Sequence, residues 1–300
     1  MWAMLAQSKG CEWLDGLGDE YLVEEKVKGI RCKAEIKKGK VRLIGRSGAD
    51  FTDSFPEIVE ALEWVREDVV FDGEIGFRGK DGRWDESQVI ARANGSAQMN
   101  RLLAKVMPAT FYVFDVIGGD GDLIVRKAKA ASIWLDRGWP ADWVSVRWEV
   151  LGHVGGGRGR QLFDQVVADG GEGVMVKKVK FRYRAGRSWD WIKVKPWKKD
   201  KLWAVALTEG KIEGYGAIVL VDWTGKYVGK AGGLSSRVIE GFKKENKGVF
   251  GAVTVPVEVC REVALWLKDE GTGLMGIPVV IRYLAISKKG ILQSAEFNSV

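Results

Sequence analysis

The sequence predicts an α+β first domain of antiparallel sheets with helices, followed by a small β-barrel. Three observations predict it. Short alternating runs end in Gly-bearing turns, a few segments show helical apolar spacing, and the character of the chain changes near residue 200. Tyr21 to Lys28 reads as a strand leading into Gly29. Arg31 to Ile36 alternates toward a Lys38-Gly39-Lys40 turn, and Val41 to Ile44 returns. Pro56 to Trp64 has helical spacing, with Ser54 as its N-cap. Val69 to Phe77 and Phe111 to Ile117 are strands. Gln161 to Ala168 is a short helix stopped by Gly170-Gly171. Gly173 to Lys177 and Trp191 to Lys195 are strands, and Pro196 ends the second. Beyond about residue 200, Leu202–Leu207, Ala217–Trp223, Lys226–Lys230 and Pro278–Leu284 are short strands between Gly-bearing turns, as in a small barrel. The stretch from Ser235 to Gly276 is long for a barrel connection. It holds either a helix with an inserted clasp for a partner or a simple helix and loop.

Of the 300 residues, 46% are hydrophobic and 29% charged, the balance of a soluble globular chain. No long apolar run points to a membrane span, and no basic-then-apolar N-terminus points to export, so the cytoplasm is expected. Cys11, Cys32 and Cys260 are far apart and make no metal knuckle or disulfide framework. His153 sits in a Gly-rich stretch and reads as a loop residue. The net charge of +7 favours a polyanionic partner. The charge is also concentrated. Residues 177–201 carry Lys177, Lys178, Lys180, Arg182, Arg184, Arg187, Lys193, Lys195, Lys198, Lys199 and Lys201 against Asp190 and Asp200, with aromatics interleaved. Such a segment reads as a phosphate-contacting surface.

Single residues suggest phosphoryl chemistry. Lys26 and Lys28, two apart in an expected strand, face one side, and their mutual repulsion would free one amine as a nucleophile. Gly29 would let a ligand approach the backbone. Glu74 and Glu172 stand at strand ends, where they can take ribose hydroxyls or a hydrated metal. Lys177, Lys193 and Lys195 supply positive charge for a departing phosphate, and Phe114 offers a ring for stacking on a base.

The ordered set of motifs goes further. Lys26-Val27-Lys28-Gly29-Ile30-Arg31 resembles the Lys-x-Asp-Gly-x-Arg motif of ATP-dependent DNA ligases. Gly45-Arg46-Ser47-Gly48, Phe55-Pro56-Glu57-Ile58, Phe71-Asp72-Gly73-Glu74-Ile75, Tyr112-Val113-Phe114-Asp115-Val116, Glu172-Gly173-Val174-Met175-Val176-Lys177 and Trp191-Ile192-Lys193-Val194-Lys195-Pro196 follow in the family's order. Tyr227-Val228-Gly229-Lys230 and Ile281-Arg282-Tyr283 resemble strands of the family's OB domain. The resemblance implies a nucleotidyltransferase (adenylation) domain over 1–199 and an OB-fold barrel over 200–300. It implies ATP and Mg2+ (or Mn2+) as cofactors, a nick in double-stranded DNA as the partner, and a monomer. Lys26 would be the adenylated nucleophile. Arg31, Arg46 and Glu74 would hold ribose and nearby phosphate, Glu24 the adenine edge, and Phe114 would stack on adenine. Glu172, with Glu74, would place the metal. Lys177, Lys193 and Lys195 would bind the ATP phosphates, Glu172, Lys193 and Lys195 acting with Lys26 in the chemistry.

Two departures stand out. The family aspartate two residues after the nucleophile is Lys28. Either another acid such as Glu25 or Glu172 takes over, or Lys28 tunes Lys26, or the chain is an altered variant. The chain also has no Lys or Arg after Lys289, where relatives carry a basic motif; Lys288 and Lys289 substitute, or adenylation is slow. With about 20 residues before the first expected strand and no four-cysteine zinc site, the pattern resembles the minimal viral or bacterial type rather than the NAD-dependent or large eukaryotic ones. An RNA ligase, a capping-type nucleotidyltransferase and an inactive nick-binding relative share much of the motif logic.

Overall fold

A computed structural model of the chain describes residues 2–79, 82–135, 148–150, 153–212, 215–236, 238–240, 254–255, 277–287 and 289–299. The chain divides into two compact units, Met1–Pro196 and Trp197–Val300. The first contains β1 (Met4–Lys9), β2 (Tyr21–Glu25), β3 (Gly29–Lys37), β4 (Lys40–Gly45), β5 (Val69–Gly76), β6 (Thr110–Ile117), β7 (Trp148–Val150), β8 (Val154–Gly155), β9 (Val174–Lys178) and β10 (Gly186–Val194). Its helices are α1 (Pro56–Leu62), α2 (Glu86–Ala93), α3 (Ala97–Val106), α4 (Leu123–Leu135) and α5 (Gly159–Ala168). The strands make two five-stranded sheets, ordered β1-β10-β9-β2-β8 and β4-β3-β5-β6-β7. Pairing is antiparallel except at β1–β10 and β6–β7.

Local sequence explains most of these elements. Lys38 and Gly39 both adopt positive φ (50° and 73°) in a two-residue turn, the geometry that matches the twist of a hairpin. Asp85 caps α2 by accepting from the Ser87 and Gln88 amides, and Ser96 caps α3 through the Met99 amide. Helix α1 corrects one expectation. Ser54 belongs to the preceding tight turn and caps nothing; Pro56 opens the helix, which ends at Leu62 and leaves Trp64 exposed.

The two-residue period of the strands decides what faces the space between the sheets. Along β2, Leu22 packs with Phe114 and Trp191, while Val23 turns the other way to Val174, Val176 and Phe163 of α5. By the same alternation Glu24, Met175, Lys177, Trp191 and Lys193 face the inter-sheet side. In the second sheet Cys32, Ala34, Phe71, Ile75, Phe111 and Val113 fill the core beneath α1. Arg31, Asp72, Glu74, Tyr112 and Phe114 therefore face the first sheet. Six of the ten expected site residues, Glu24, Arg31, Glu74, Phe114, Lys177 and Lys193, are thus inner-face residues of two opposed sheets.

The second unit contains β11 (Lys198–Ile212), β12 (Tyr215–Val221), β13 (Tyr227–Ala231), β14 (Thr254–Val255), β15 (Ile277–Tyr283), β16 (Ala285–Ile286), β17 (Leu292–Gln293) and β18 (Glu296–Ser299). Its main sheet runs β13-β12-β11-β15-β18, with β14 added to β11. Leu202, Ala204, Ile218, Leu220, Val279 and Ile281 form its core. A single bridge joins Gly232, just past β13, to Glu296 of β18, with Phe297 N–H donating to the Gly232 carbonyl at 2.9 Å. No closed barrel is found among the described residues. Most of Ser235 to Gly276 lies outside them.

Candidate active site

A cavity of about 300 Å³ opens between the two sheets of the first unit. Glu24, Lys26, Arg31, Arg46, Glu74, Phe114, Lys177, Lys193 and Lys195 all line it, so nine of the ten expected site residues share one pocket. The tenth, Glu172, joins them through Lys26, whose Nζ lies 2.6 Å from Glu172 Oε2. Lys195 forms an ion pair with the other Glu172 oxygen.

Lys26 does not stand in a strand. The chain leaves the ladder after Glu25, and the Lys26 amide donates to the Gly173 carbonyl at 2.9 Å. That bond fixes Lys26 against the residue next to Glu172. Gly173 is required there, since at φ 113° a Cβ would lie 2.2 Å from the Val194 carbonyl oxygen. The expected same-face pairing of Lys26 with Lys28 is thereby corrected. The Lys28 ammonium reaches exposed Glu86 at 3.7 Å, while Lys26 turns to Glu172. Gly29 is also reassigned. A Cβ on it would meet the Ile75 carbonyl oxygen at 2.0 Å, so its bareness serves β3–β5 pairing rather than ligand approach.

Burial alone would raise the Glu172 carboxyl, but Lys26 and Lys195 outweigh it and hold it below the usual range. Glu74 behaves oppositely. Burial pushes it up to about 7, with Asp72 and Glu172 adding to the rise and Lys26 and Arg31 opposing it.

Phe114 presents its ring to the cavity, edge-on to Trp191 at 5.7 Å. The Arg31 guanidinium lies over that ring at 4.7 Å. It is held by both Asp72 oxygens (2.7 and 2.6 Å) and by the Met4 carbonyl. Asp72 in turn accepts from the Tyr183 hydroxyl at 2.6 Å. Lys177, expected to bind phosphate, lines the cavity from a buried position. Its buried ammonium donates to the Phe114 carbonyl (3.2 Å), pairs with Glu24 (2.8 Å), and sits over the Phe114 and Trp191 rings at 4.5 Å each. Glu24 is wholly buried, and Lys127 of α4 reaches its other oxygen at 2.6 Å. Burial would raise Glu24, yet the two lysines hold it low. Arg46 is exposed on the turn after β4. Glu25 is committed to Arg78, both oxygens at 2.6 Å, and to the Trp84 indole at 2.8 Å. Cys32 is buried and its thiol is pushed up by burial, so it is no nucleophile. His153 lies in the loop entering β8.

The family model described as "ATP dependent DNA ligase domain" matches residues 3–195. The chain belongs to the ATP-dependent DNA ligase domain family. A probable DNA ligase of Streptomyces coelicolor is 35% identical to this ligase domain over 177 residues, which are 58% of this chain and 35% of that protein. One from Anaeromyxobacter dehalogenans is 32% identical over 197 residues, 64% of this chain and 38% of that protein. The chain thus spans little more than a third of the length of these relatives. Among solved structures, a mycobacterial DNA ligase D complexed with ATP and MES aligns with TM-score 0.55 at 22% identity, covering 100% of this chain and 94% of that one. A structure from work on Lig E DNA ligases aligns with TM-score 0.64 at 20% identity, covering 100% and 99%. At such identities the likeness is one of fold.

Sequence reading missed Leu5 and Ala6 of the ligase domain's pocket wall, and Lys127 and Tyr183, which stand behind it on Glu24 and Asp72. Lys127 lies on a helix with no motif, although the pattern Leu123, Arg126, Lys127, Ala130 follows its inner face. Tyr183 was one aromatic among many in the basic segment. Strand β1 carries Leu5 and Ala6 into the pocket wall, and its alternating Met4-Leu5-Ala6-Gln7 was the only signal for it.

Proposed function

We propose that this ligase domain joins nucleic-acid strands through a covalent AMP carried on Lys26, with ATP as the nucleotide donor and a nick in duplex DNA as the acceptor. The observation that carries the reading is the Lys26 amine, 2.6 Å from Glu172, in one cavity with the Phe114 ring and with Lys193 and Lys195. In the first step the neutral amine attacks the α-phosphorus and the bond to pyrophosphate breaks. Glu172 would take the departing proton, and Lys193 and Lys195 would meet the charge gathering on the leaving group. AMP then passes to the 5′-phosphate of the nick, and the 3′-hydroxyl displaces it.

The base would stack on Phe114 with its polar edge toward Glu24 and Lys177, which moves Lys177 from the phosphate to the base end. Glu74 would accept from the ribose, and Arg46 would meet phosphate. Among the described residues no three His, Cys, Asp or Glu side chains cluster as a metal cage. Two carboxylates near a triphosphate suit a hydrated Mg2+, or Mn2+, that arrives with its substrate; Glu172 and Glu74 would hold it. When bound, such an ion shields phosphate charge.

The second unit is read as an OB-type barrel, supported by the Gly232–Glu296 bridge between its edge strands. The basic run at 177–201, apart from Lys177, Lys193 and Lys195 in the cavity, supports contact with DNA phosphates, Lys198, Lys199 and Lys201 belonging to the second unit. We take the two units as the nucleotidyltransferase domain and the barrel, their division after Pro196 lying three residues before the boundary of 1–199 and 200–300 expected from the sequence, and the protein as a cytoplasmic monomer. No helix among the described residues is long and apolar enough to cross a membrane.

Incubation with labelled ATP and Mg2+ should give an acid-labile adduct that Lys26→Ala abolishes, and the protein should seal a 5′-phosphate nick. Best labelling by GTP would favour a capping-type enzyme. Sealing confined to nicked RNA would favour an RNA ligase. Nick binding without an adduct would mark an inactive relative.

A further inference from the structure

We propose that Lys127 is the positioning residue that sets base selection in this pocket, an inference that rests on reading the cavity as a nucleotide site. Helix α4 sends two consecutive cations inward. Arg126 anchors the helix. Its Nε and Nη2 bond Asp115 of β6 at 2.6 and 3.1 Å, and its Nη1 bonds the Gly121 and Phe181 carbonyls at 2.9 Å each. Lys127 instead reaches Glu24, whose other oxygen already has Lys177. One carboxylate between two ammonium groups leaves a surplus positive charge in a desolvated place. A simple Glu24–Lys177 pair would be neutral and less costly to bury.

The second lysine fixes the carboxylate. The terminal torsion of a glutamate is broad, and one partner leaves it free to swing. A cation on each oxygen holds its plane. Glu24 and Lys177, on neighbouring strands of the first sheet, then set a fixed acceptor beside a fixed donor in the cavity that Phe114 lines from the opposite sheet. Adenine offers a matching edge, an amino donor beside a ring-nitrogen acceptor. Guanine offers the reverse order, a carbonyl acceptor beside an N–H donor, and would set like against like. Discrimination of that kind is strong when the site's polar groups are held in place.

The test measures dissociation constants of ATP and GTP for the whole chain by calorimetry without added metal, in the wild type and in Lys127→Met, Lys127→Gln and Lys127→Arg. The preference for ATP should fall about tenfold or more in the Met and Gln variants and stay within about threefold in the Arg variant. Thermal melting identifies any variant that fails to fold, and the remaining neutral variant then decides. An unchanged preference in a folded neutral variant overturns the inference, as does a fall in the rate of labelling at saturating ATP with binding unchanged. Wild-type binding of ATP without adduct sinks the lysine–AMP reading alone. Binding of neither nucleotide sinks both.

Discussion

The pocket has two ends built from the same parts, one glutamate between two lysines, and they differ in burial. At the base end Glu24 is 0% exposed and its partners Lys127 and Lys177 are 6% and 1%. At the other end Glu172 is 16% exposed, with Lys26 at 22% and Lys195 at 14%. In both, lysines outweigh the effect of burial and keep the carboxyl below its usual range. The consequences diverge. A desolvated triad cannot exchange partners, because each charge it releases is left without water. A wetter triad can, since phosphate oxygens or solvent can replace Glu172 on either lysine at little cost. The first end suits recognition and the second suits chemistry, in which Lys26 must trade an ion pair for a bond to phosphorus.

The sharpest way to break this contrast is to remove the reacting amine. Lys26→Ala should lower adduct formation at least about a thousandfold, and Lys26→Arg should not rescue it, because a guanidinium stays protonated. An adduct surviving in Lys26→Ala would place the nucleophile elsewhere. Next come the two glutamates, compared directly. Glu24→Gln strands two buried ammonium groups and should cost about 3–5 kcal/mol in urea unfolding. Glu172→Gln should cost under ~2 kcal/mol, yet slow single-turnover adenylation about ten- to a hundredfold. Equal stability losses would erase the distinction drawn from burial.

The two ends were also unequally legible in sequence. The motif residues could be read because strand alternation carries them: Glu24, Lys177 and Lys193 face inward by the same period that buries Leu22 and Trp191. What failed was the assumption that the strand continues through Lys26 to Lys28. The amide of Lys26 leaves its ladder for Gly173, a contact made across 147 positions of chain (26 to 173) that no local pattern encodes. Lys127 was hidden for a related reason. An inward lysine on a helix looks like a solvated one until the partner carboxylate is known. Asp72 was read only as a neighbour of Glu74, although it holds both Arg31 and Tyr183.

Glu74 offers a smaller effect with a defined sign. Its carboxyl is ordinarily near 4.5 and is pushed up to about 7 in the fold. At low pH it is protonated whether the chain is folded or not, and costs nothing. As pH rises from about 4.5 to 7 the unfolded chain ionises first, so stability is lost, and the loss is complete above 7. Glu74→Gln removes that loss. The variant should match the wild type near pH 4.5 and exceed it at pH 8 by ~1–3 kcal/mol in urea unfolding. A difference that does not grow with pH would mean Glu74 ionises normally.

The smallest expected effect is at Lys28, although the sequence departs most from its family there. Its side chain is 44% exposed and meets the 42% exposed side chain of Glu86 at 3.7 Å, a geometry that contributes little in water. Lys28→Ala should therefore change unfolding stability by no more than ~0.5 kcal/mol. It should also leave the pH profile of Lys26 adenylation in place, because the Lys26 amine is turned to Glu172 and the two lysines do not share a strand face. Lys28→Asp is the sharper probe. It puts a carboxylate where relatives have one, and also near Glu86, so the adduct should still form with the same profile while sealing of a pre-adenylated nick holds or improves. A profile displaced to higher pH in Lys28→Asp would show that residue 28 does act on the Lys26 amine once ATP is bound. Lost sealing with adenylation intact would instead give Lys28 a positive role in the joining steps, one fitted to its exposed ammonium and to the 5′-phosphate of the nick.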